Sequence, residues 1–138
     1  MDEKFFETLR NLSIGFIGEN KVRNYLKSKK LKFFQADVIC EYQDYYCLIE
    51  IKRQEMFMAP PFDGHGLPLW QIESRLKFYE LTKIIPFLFV VCLTSDKIYY
   101  NSFIELEKGE KHDTRGERPR RIYNINNFKI LKDDSKIP

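Results

Sequence analysis

The sequence is poor in the soft side chains that build zinc and redox centres. It has three cysteines, Cys40, Cys47 and Cys92, and two histidines, His65 and His112, and no two cysteines form a CxxC pair. This spacing argues against a structural zinc site. The three thiols instead lie inside apolar, strand-like runs, which is typical of cysteines that fill a core in a reducing compartment.

Long hydrophobic runs are also absent, since no apolar stretch approaches the roughly 18 residues needed to cross a bilayer. The N-terminus, MDEKFFETLR, is acidic and amphipathic and does not have the pattern of a signal peptide. We therefore expect a cytoplasmic protein with no membrane partner. The lysine-, isoleucine- and tyrosine-rich composition fits an AT-rich genome such as that of an archaeal virus, in which case the location is the host cytoplasm.

Charge of one sign is not in large excess, because the formal net charge is only +3. The distribution is more informative than the total, with one basic cluster at residues 27–32 and another within residues 111–121. The second cluster consists of Lys111, Arg115, Arg118, Arg120 and Arg121. Such runs are often solvated faces, but they also predict contacts with nucleic-acid phosphates. A phosphate-contacting arm and a disordered turn both fit this segment.

The chain is rich in apolar residues, at 43%, and in aromatic residues, at 15%, which predicts a globular protein. We expect one domain over residues 1–138, with a core at about 14–103 and a C-terminal extension at 104–138 that carries the basic loop and a late strand. The predicted elements are a helix from about Ile14 to Ser28, a hairpin turning at Gln43-Asp44, a loop at MAPPFDGHG, a helix from Pro68 to about Ile84, the strand FLFVVCLT buried on both faces, the strand KIYYNSF, a charged loop at 107–120 and a late strand RIYNINNFKIL. This order predicts an α/β fold with a mixed central sheet flanked by helices.

The stretch LIEIKRQ, residues 48–54, forms the second strand of the predicted hairpin. A two-residue turn places Tyr42 opposite Tyr45, and this register puts Val38 opposite Ile49 on an apolar face. We expect the Ile49 and Ile51 side of the strand to face the core. On the other side of the strand, the same register places Asp37 opposite Glu50.

Two carboxylates in this position present an electrostatic problem. Directly opposed side chains have Cβ atoms about 4.5–5.5 Å apart, and like charges there are destabilising. Lys52, a shared proton or a divalent cation can offset the repulsion, and hard carboxylate oxygens suit Mg²⁺ or Mn²⁺. Lys52 points to the same side as Glu50, where it can orient a water or neutralise charge on a phosphate.

With these residues in place, the sequence resembles the PD-(D/E)xK, or restriction endonuclease-like, nuclease superfamily. The motifs that carry the resemblance are Gly18-Glu19 at a helix start, Asp37, the tripeptide Glu50-Ile51-Lys52, and a helix with Gln71. It covers roughly Ile14 to Thr94 and implies an αβββαβ core. The superfamily includes archaeal Holliday-junction resolvases, many restriction endonucleases and small viral nucleases.

The resemblance implies a role for each matching residue. Asp37, Glu50 and the backbone carbonyl of Ile51 would bind Mg²⁺ or Mn²⁺, and Lys52 would be the catalytic lysine. Glu19 matches an acid that several subfamilies place beside the metal, and Gln71 matches a polar residue of the second helix. Arg75, one turn after Gln71, would reach a phosphate. The sequence departs from the pattern at Ala36, where proline is common, and in the long span from Arg53 to Trp70.

These inferences predict a metal-dependent nuclease that hydrolyses DNA phosphodiester bonds as an endonuclease or exonuclease at junctions, flaps or ends. Because many small members of the superfamily pair to cut two strands, we expect a homodimer. Two alternatives remain open. One is a catalytically silent nucleic-acid-binding module with the same fold, and the other is an adaptor in which the Glu50–Lys52 ion pair is incidental.

Overall fold

A computed structural model describes residues 4, 20–30, 37–59 and 61–132. Its internal contacts divide the chain into two compact units, 1–35 and 36–138, which are described separately. In the first unit, residues 20–28 are helical (α1), and Ser28 Oγ donates a hydrogen bond to the Tyr25 carbonyl, 2.6 Å away. This helix is part of the one predicted from about Ile14 to Ser28. The candidate site residue Glu19 lies outside the described residues.

The described residues of the second unit form two sheets and two helices. Its elements in chain order are β1 (Val38–Tyr42), β2 (Tyr45–Gln54), β3 (Phe57–Ala59), β4 (Phe62–Pro68), α2 (Leu69–Thr82), β5 (Ile85–Cys92), β6 (Lys97–Ser102), α3 (Phe103–Lys108), β7 (Lys111–Asp113), β8 (Arg120–Asn124), a 3-10 turn (Ile125–Asn127) and β9 (Lys129–Ile130). One sheet has the order β1-β2-β5-β6-β9, with β2 and β5 parallel and the other pairs antiparallel. The predicted α/β class with a mixed central sheet is therefore confirmed.

The predicted hairpin is present with the predicted register. Gln43 and Asp44 have φ angles of 49° and 66°, the left-handed pair of values that a two-residue type I′ turn requires. Tyr42 pairs with Tyr45, and the pairing continues along the hairpin to Val38 and Ile49. The period of two in the sequence was sufficient to set this register because the turn leaves no freedom to slip.

The face of β2 that lies in the core is not the one expected from the sequence. Leu48 is 5% exposed and Glu50 is 6% exposed, whereas Ile51 on the opposite face is 43% exposed. The prediction that Ile51 anchors the strand in the core is therefore wrong. The reason is that the second sheet and helices α2 and α3 pack on the Leu48 side, where Leu67, Ile72, Leu88, Val90, Cys92, Tyr99, Phe103, Leu106, Tyr123 and Phe128 form the main core cluster.

The second sheet, in the order β3-β4-β8-β7, was not predicted. The MAPPFDGHG segment was expected to be a loop, but most of β3 and most of β4 lie in it. Part of the expected charged loop at 107–120 forms the end of α3 and β7. Gly66 has a specific role here, because a Cβ at this position would lie 2.0 Å from the Arg121 carbonyl oxygen of β8. The glycine thus marks a close approach between two backbones rather than a loop.

Helix α2 and strand β5 follow the sequence closely. The helix follows Pro68 and ends at Lys83, whose φ of 62° is left-handed and whose N–H donates to the Tyr79 carbonyl. Burial alternates along β5, with Leu88 and Val90 fully buried and Phe87 and Phe89 half-buried. The expectation that this strand is buried on both faces is therefore wrong. No helix within the described part of the chain is long and apolar enough to cross a membrane.

Candidate active site

Glu50 lies in the middle of β2 and points into the interior between β2 and helix α2. Two of its neighbours on the same face are apolar, Leu48 two residues earlier in the strand and Leu88 beside it on β5. A carboxylate that is only 6% exposed in such surroundings is stable in its charged form only if hydrogen bonds and opposite charges replace the lost water. The chain supplies these partners from α2 and from β2 itself.

Helix α2 provides two of the partners. Gln71 Nε2 donates a hydrogen bond to Glu50 Oε1 at 2.7 Å, and Arg75 donates to Oε2 through its terminal nitrogen at 2.9 Å and its Nε at 3.3 Å. Gln71 and Arg75 are four residues apart and so lie on the same face of the helix. Arg75 is itself only 6% exposed, so the structure places it on Glu50 rather than on the surface where a phosphate contact was expected.

Lys52 provides a third partner from the same strand. Its Nζ lies 3.7 Å from Glu50 Oε1, and its side chain is 33% exposed, whereas that of Glu50 is 7% exposed. The lysine therefore reaches from the buried carboxylate towards solvent. A substrate that approaches this edge would meet the ammonium group before it met Glu50.

Asp37 lies next to this group, immediately before β1. Its Oδ2 accepts a hydrogen bond from the Ile51 N–H at 2.8 Å, which fixes the carboxylate against β2. In a strand, the N–H and C=O of one residue point to the same neighbouring strand. The Ile51 carbonyl therefore also faces the edge that carries Asp37. In the structure, Gln71 and Lys52 contact Glu50, and Asp37 contacts the Ile51 backbone.

The donor set suits a hard divalent cation. Among the described residues no group of three or more His, Cys, Asp or Glu side chains could hold a metal ion. Mg²⁺, however, commonly takes only one or two protein carboxylates and completes its shell with water and substrate phosphate. A carboxylate offers about four lone-pair sites, so Glu50 can accept its three hydrogen bonds and still coordinate a cation. Asp37, Glu50 and the Ile51 carbonyl are therefore the residues that fit Mg²⁺ or Mn²⁺.

The basic residues of the 111–121 segment divide into two kinds. Arg121 donates to Asp113 at 2.7 and 3.0 Å and to Glu107 at 2.8 Å, and Lys111 lies 3.3 Å from Glu107. The hydrogen bonds from Arg121 lower the pKa of Asp113 and keep it charged. Arg121 and Lys111 therefore pair with acids of the same chain. The other three point elsewhere, with Arg115 and Arg118 exposed and the Arg120 guanidinium 5.8 Å from the centre of the Phe57 ring.

Glu107 is a residue whose importance the sequence did not indicate. It accepts hydrogen bonds from Arg121 and from the Tyr123 hydroxyl, at 2.8 and 2.9 Å, and so joins α3 to β8. Burial, and then the charge of Glu107, raises the pKa of Tyr123, so the phenol stays protonated and continues to donate. Nothing in the spacing of these residues identifies the cluster, because it forms only when two distant segments pair.

Gln54 is a second residue that sequence reasoning missed. Its Oε1 lies 2.9 Å from His65 Nδ1 and accepts from the Gly66 N–H at 3.3 Å, and its Nε2 donates to the Gly66 carbonyl at 3.2 Å. The side-chain amide of Gln54 therefore makes the two backbone hydrogen bonds to Gly66 that a neighbouring strand would otherwise make. The sequence contained one indication of this role. Gln54 lies two residues after Lys52 and so continues the polar face of β2 that begins at Glu50.

Comparison with known proteins finds similarity to a solved structure only at low sequence identity. No protein-family model matches the chain, and no curated protein matches it either. Among solved structures, it is similar to Archaeoglobus fulgidus Hjc, a Holliday junction resolvase from an archaeal hyperthermophile, over 76% of this chain and 75% of that one. The sequence identity is 12% and the TM-score is 0.47.

Proposed function

We propose that this protein is a divalent-metal-dependent nuclease that hydrolyses phosphodiester bonds in DNA. The observation that carries the proposal is the buried carboxylate of Glu50, which Gln71 and Arg75 hold in place. Asp37 lies at the adjoining strand edge, and Lys52 lies between Glu50 and solvent. A carboxylate pair beside a half-exposed lysine is a suitable constellation for phosphoryl transfer, which needs positioning and charge stabilisation more than covalent chemistry.

Each residue has a distinct task in this proposal. When bound, Mg²⁺ or Mn²⁺ on Asp37, Glu50 and the Ile51 carbonyl would polarise a phosphate oxygen and lower the pKa of a bound water. Lys52 donates hydrogen bonds to the attacking water or to the phosphate as negative charge develops. Gln71 and Arg75 are positioning residues, because their hydrogen bonds set the orientation of Glu50.

The substrate in this proposal is DNA, held mainly through its backbone. Arg115 and Arg118 are exposed and suited to phosphate contacts, which orient a duplex without reading its sequence. Arg75, Lys111 and Arg121 are less suited, since acids within the fold already neutralise them. A four-way junction, a flap and a DNA end all remain candidate substrates. We also propose a homodimer in the cytoplasm, since two sites are needed to cut two strands together.

One observation favours a second function, that of a catalytically silent DNA-binding module. Arg75 lies 2.9 Å from Glu50 and supplies the positive charge that a metal ion would otherwise provide. A site that is neutralised by its own arginine does not require a cation in order to fold. The two functions make opposite predictions for metal-dependent cleavage, so one assay separates them.

The test is a cleavage assay on linear, nicked, flapped and four-way-junction DNA, with Mg²⁺, with Mn²⁺ and with EDTA. We expect the wild-type protein to cut at least one substrate only when a metal is present. Asp37→Asn and Lys52→Gln should each lower the rate by about 100-fold or more, because each removes a group that acts on the transition state. Glu41→Gln is the matched control, an exposed acid on β1 away from Glu50 that should leave the rate unchanged.

Asp37 and Lys52 are better targets than Glu50 for this purpose. Removing Glu50 takes the ion-pair partner from a buried arginine, which is expected to cost about 3–5 kcal/mol of stability and can abolish activity by unfolding. Asp37 is exposed and Lys52 is partly exposed, so their variants should remain folded, which circular dichroism would verify. If the folded wild-type protein cuts no DNA with either metal, or if both variants cut as fast as the wild type, the nuclease proposal is wrong.

A further inference from the structure

An open pocket of about 560 Å³ lies at the N-terminal end of α2. Its lining includes Trp70, Glu73, Glu117, Arg118 and Arg120. Trp70 is 71% exposed, so burial in the core does not explain the presence of an indole here. A large, rigid aromatic surface left in solvent beside charged residues is typical of a binding site.

Hydrogen bonds from two backbone N–H groups hold the walls of this pocket together. The Leu69 N–H, at the start of α2, donates a hydrogen bond to the Pro119 carbonyl at 2.9 Å. The Arg120 N–H donates to Thr114 Oγ1 at 2.9 Å, which closes the loop that carries Arg118. The indole and the arginines are therefore presented from two segments in contact with each other. Such a site loses little backbone conformational entropy when a ligand binds.

The mixture of charges in the pocket identifies the kind of ligand. Two arginines suit a phosphate, but Glu73 and Glu117 also line the pocket and would repel an anion that carried nothing else. A nucleotide can bind both the positive and the negative side chains. Its phosphate accepts hydrogen bonds from arginine. Its base has an aromatic face and N–H groups that donate hydrogen bonds to a carboxylate. The indole provides a stacking surface for any base, since every base has a π-face.

The position of the pocket links it to the proposed chemistry. Trp70 and Gln71 are consecutive residues in the first turn of α2, and Gln71 donates to Glu50 while Trp70 lines the pocket. We propose that Trp70, with Arg118 and Arg120, binds an unpaired nucleotide of the DNA substrate next to the scissile bond. This inference rests on the proposed function and deepens it, because it selects DNA with single-stranded character, such as a flap or a frayed end, over continuous duplex.

Trp70 is the only tryptophan in the chain, so it reports on its own occupancy. The experiment is a fluorescence titration of the protein in EDTA, where no cleavage occurs, with a short thymidine oligonucleotide and with a duplex of the same length. We expect the single strand to quench the indole emission through stacking and the duplex to quench it much less. Binding to the pocket without quenching would contradict the stacking geometry.

Variants measured by the anisotropy of labelled single-stranded DNA complete the test. Trp70→Ala should weaken binding by about five- to 150-fold, the loss expected for one stacked base, while Trp70→Phe should keep most of the affinity. Leu81→Ala is the matched control, because Leu81 lies on the same helix and is also 71% exposed, yet it is distant in sequence from the pocket residues. If Trp70→Ala binds the single strand as tightly as the wild type, the inference is wrong.

The two proposals fail in different ways. Metal-dependent cleavage with unchanged single-strand binding by Trp70→Ala would leave the nuclease proposal intact and overturn only the nucleotide pocket. Quenching by single-stranded DNA in a protein that never cuts would support the pocket within the silent binding module. The absence of any binding to single-stranded DNA overturns the pocket, whatever the protein does to duplex substrates.

Discussion

The most informative single residue is Glu50, because its surroundings change the electrostatic argument. The sequence indicated repulsion between Asp37 and Glu50 and favoured a cation as its remedy. In the structure, Arg75 and Lys52 already supply positive charge, at 2.9 and 3.7 Å from Glu50. The folded protein therefore does not need a metal ion to offset repulsion between Asp37 and Glu50. The proposed metal site depends instead on the oxygen atoms of Asp37, Glu50 and the Ile51 backbone, which are the kind of hard ligand that Mg²⁺ prefers.

His65 is the other residue whose environment has measurable consequences. It is fully buried, with its ring centroid 5.8 Å from that of Tyr99 and 6.1 Å from that of Phe128. Its Nδ1 is hydrogen-bonded to Gln54, and its Nε2 has no hydrogen-bond partner. A proton on Nε2 would have no acceptor in these apolar surroundings. Burial accordingly lowers the pKa of His65 to about 4.

This shift predicts that stability depends on pH. The unfolded chain binds a proton on His65 near pH 6.5 and the folded chain only near pH 4, so stability is complete above pH 6.5 and is lost as the pH falls towards 4. Between pH 7 and pH 5 the free energy of unfolding should fall by about 2 kcal/mol. Urea denaturation at the two pH values measures this difference.

The second histidine provides the control for that measurement. His112 is exposed, so His112→Asn should show the same pH dependence as the wild type, whereas His65→Asn should lose most of it whatever its absolute stability. Asparagine keeps a donor for Gln54 but does not titrate in this range. An unchanged pH dependence in His65→Asn would show that other groups are responsible.

At the scale of elements, strand β2 connects the parts of the second unit through one polar face. Glu50 contacts helix α2, Lys52 reaches towards solvent, and Gln54 contacts β4 of the second sheet. Strand β3 pairs only with residues 62–64 of β4. Beyond that point, at Gly66, the Gln54 amide makes the hydrogen bond to β4 in place of β3. One strand thus carries both a candidate catalytic carboxylate and the polar contact that joins the two sheets.

Removing the Gln54 amide should destabilise the fold. Gln54→Met keeps the length of the side chain but leaves the Gly66 N–H, the Gly66 carbonyl and His65 without this partner. Because an unsatisfied buried polar group costs about 1–3 kcal/mol, we expect a loss of about 2 kcal/mol or more in the free energy of unfolding. Chemical denaturation measures it. Arg53→Met, at the exposed neighbouring position, should change stability by less than about 0.5 kcal/mol.

At the scale of the whole molecule, metal binding should appear as thermal stabilisation. A cation that binds only the folded state at ten times its Kd contributes about 1.4 kcal/mol, which corresponds to a rise in Tm of about 5 °C for a chain of this length. We expect this rise with Mg²⁺ or Mn²⁺ in a thermal melt of the wild type and its absence in Asp37→Asn. Equal shifts in the two proteins would place the bound cation elsewhere.

How much of the molecule the sequence predicted depends on how local each feature is. The β1–β2 hairpin followed from a two-residue turn and a period of two, both contained within residues 37–52. The second sheet did not, because β4 pairs with β8, more than fifty residues later, and short polar strands with glycines have no periodic signature. Ile51 was assigned to the core for a related reason, since alternation separates two faces but does not say which one other elements will cover.

The sequence by itself determined the α/β class, from the order of its elements, and the hairpin register, which depends on residues within two adjoining strands. It also predicted a site made of Asp37, Glu50 and Lys52. Only the tertiary structure decided the rest. It brought Gln71 and Arg75 of α2 onto Glu50, paired Arg121 with acids, and placed Trp70 beside Arg118 and Arg120. Those contacts join segments far apart in the chain, and burial and charge compensation among them can be evaluated only after the segments have packed.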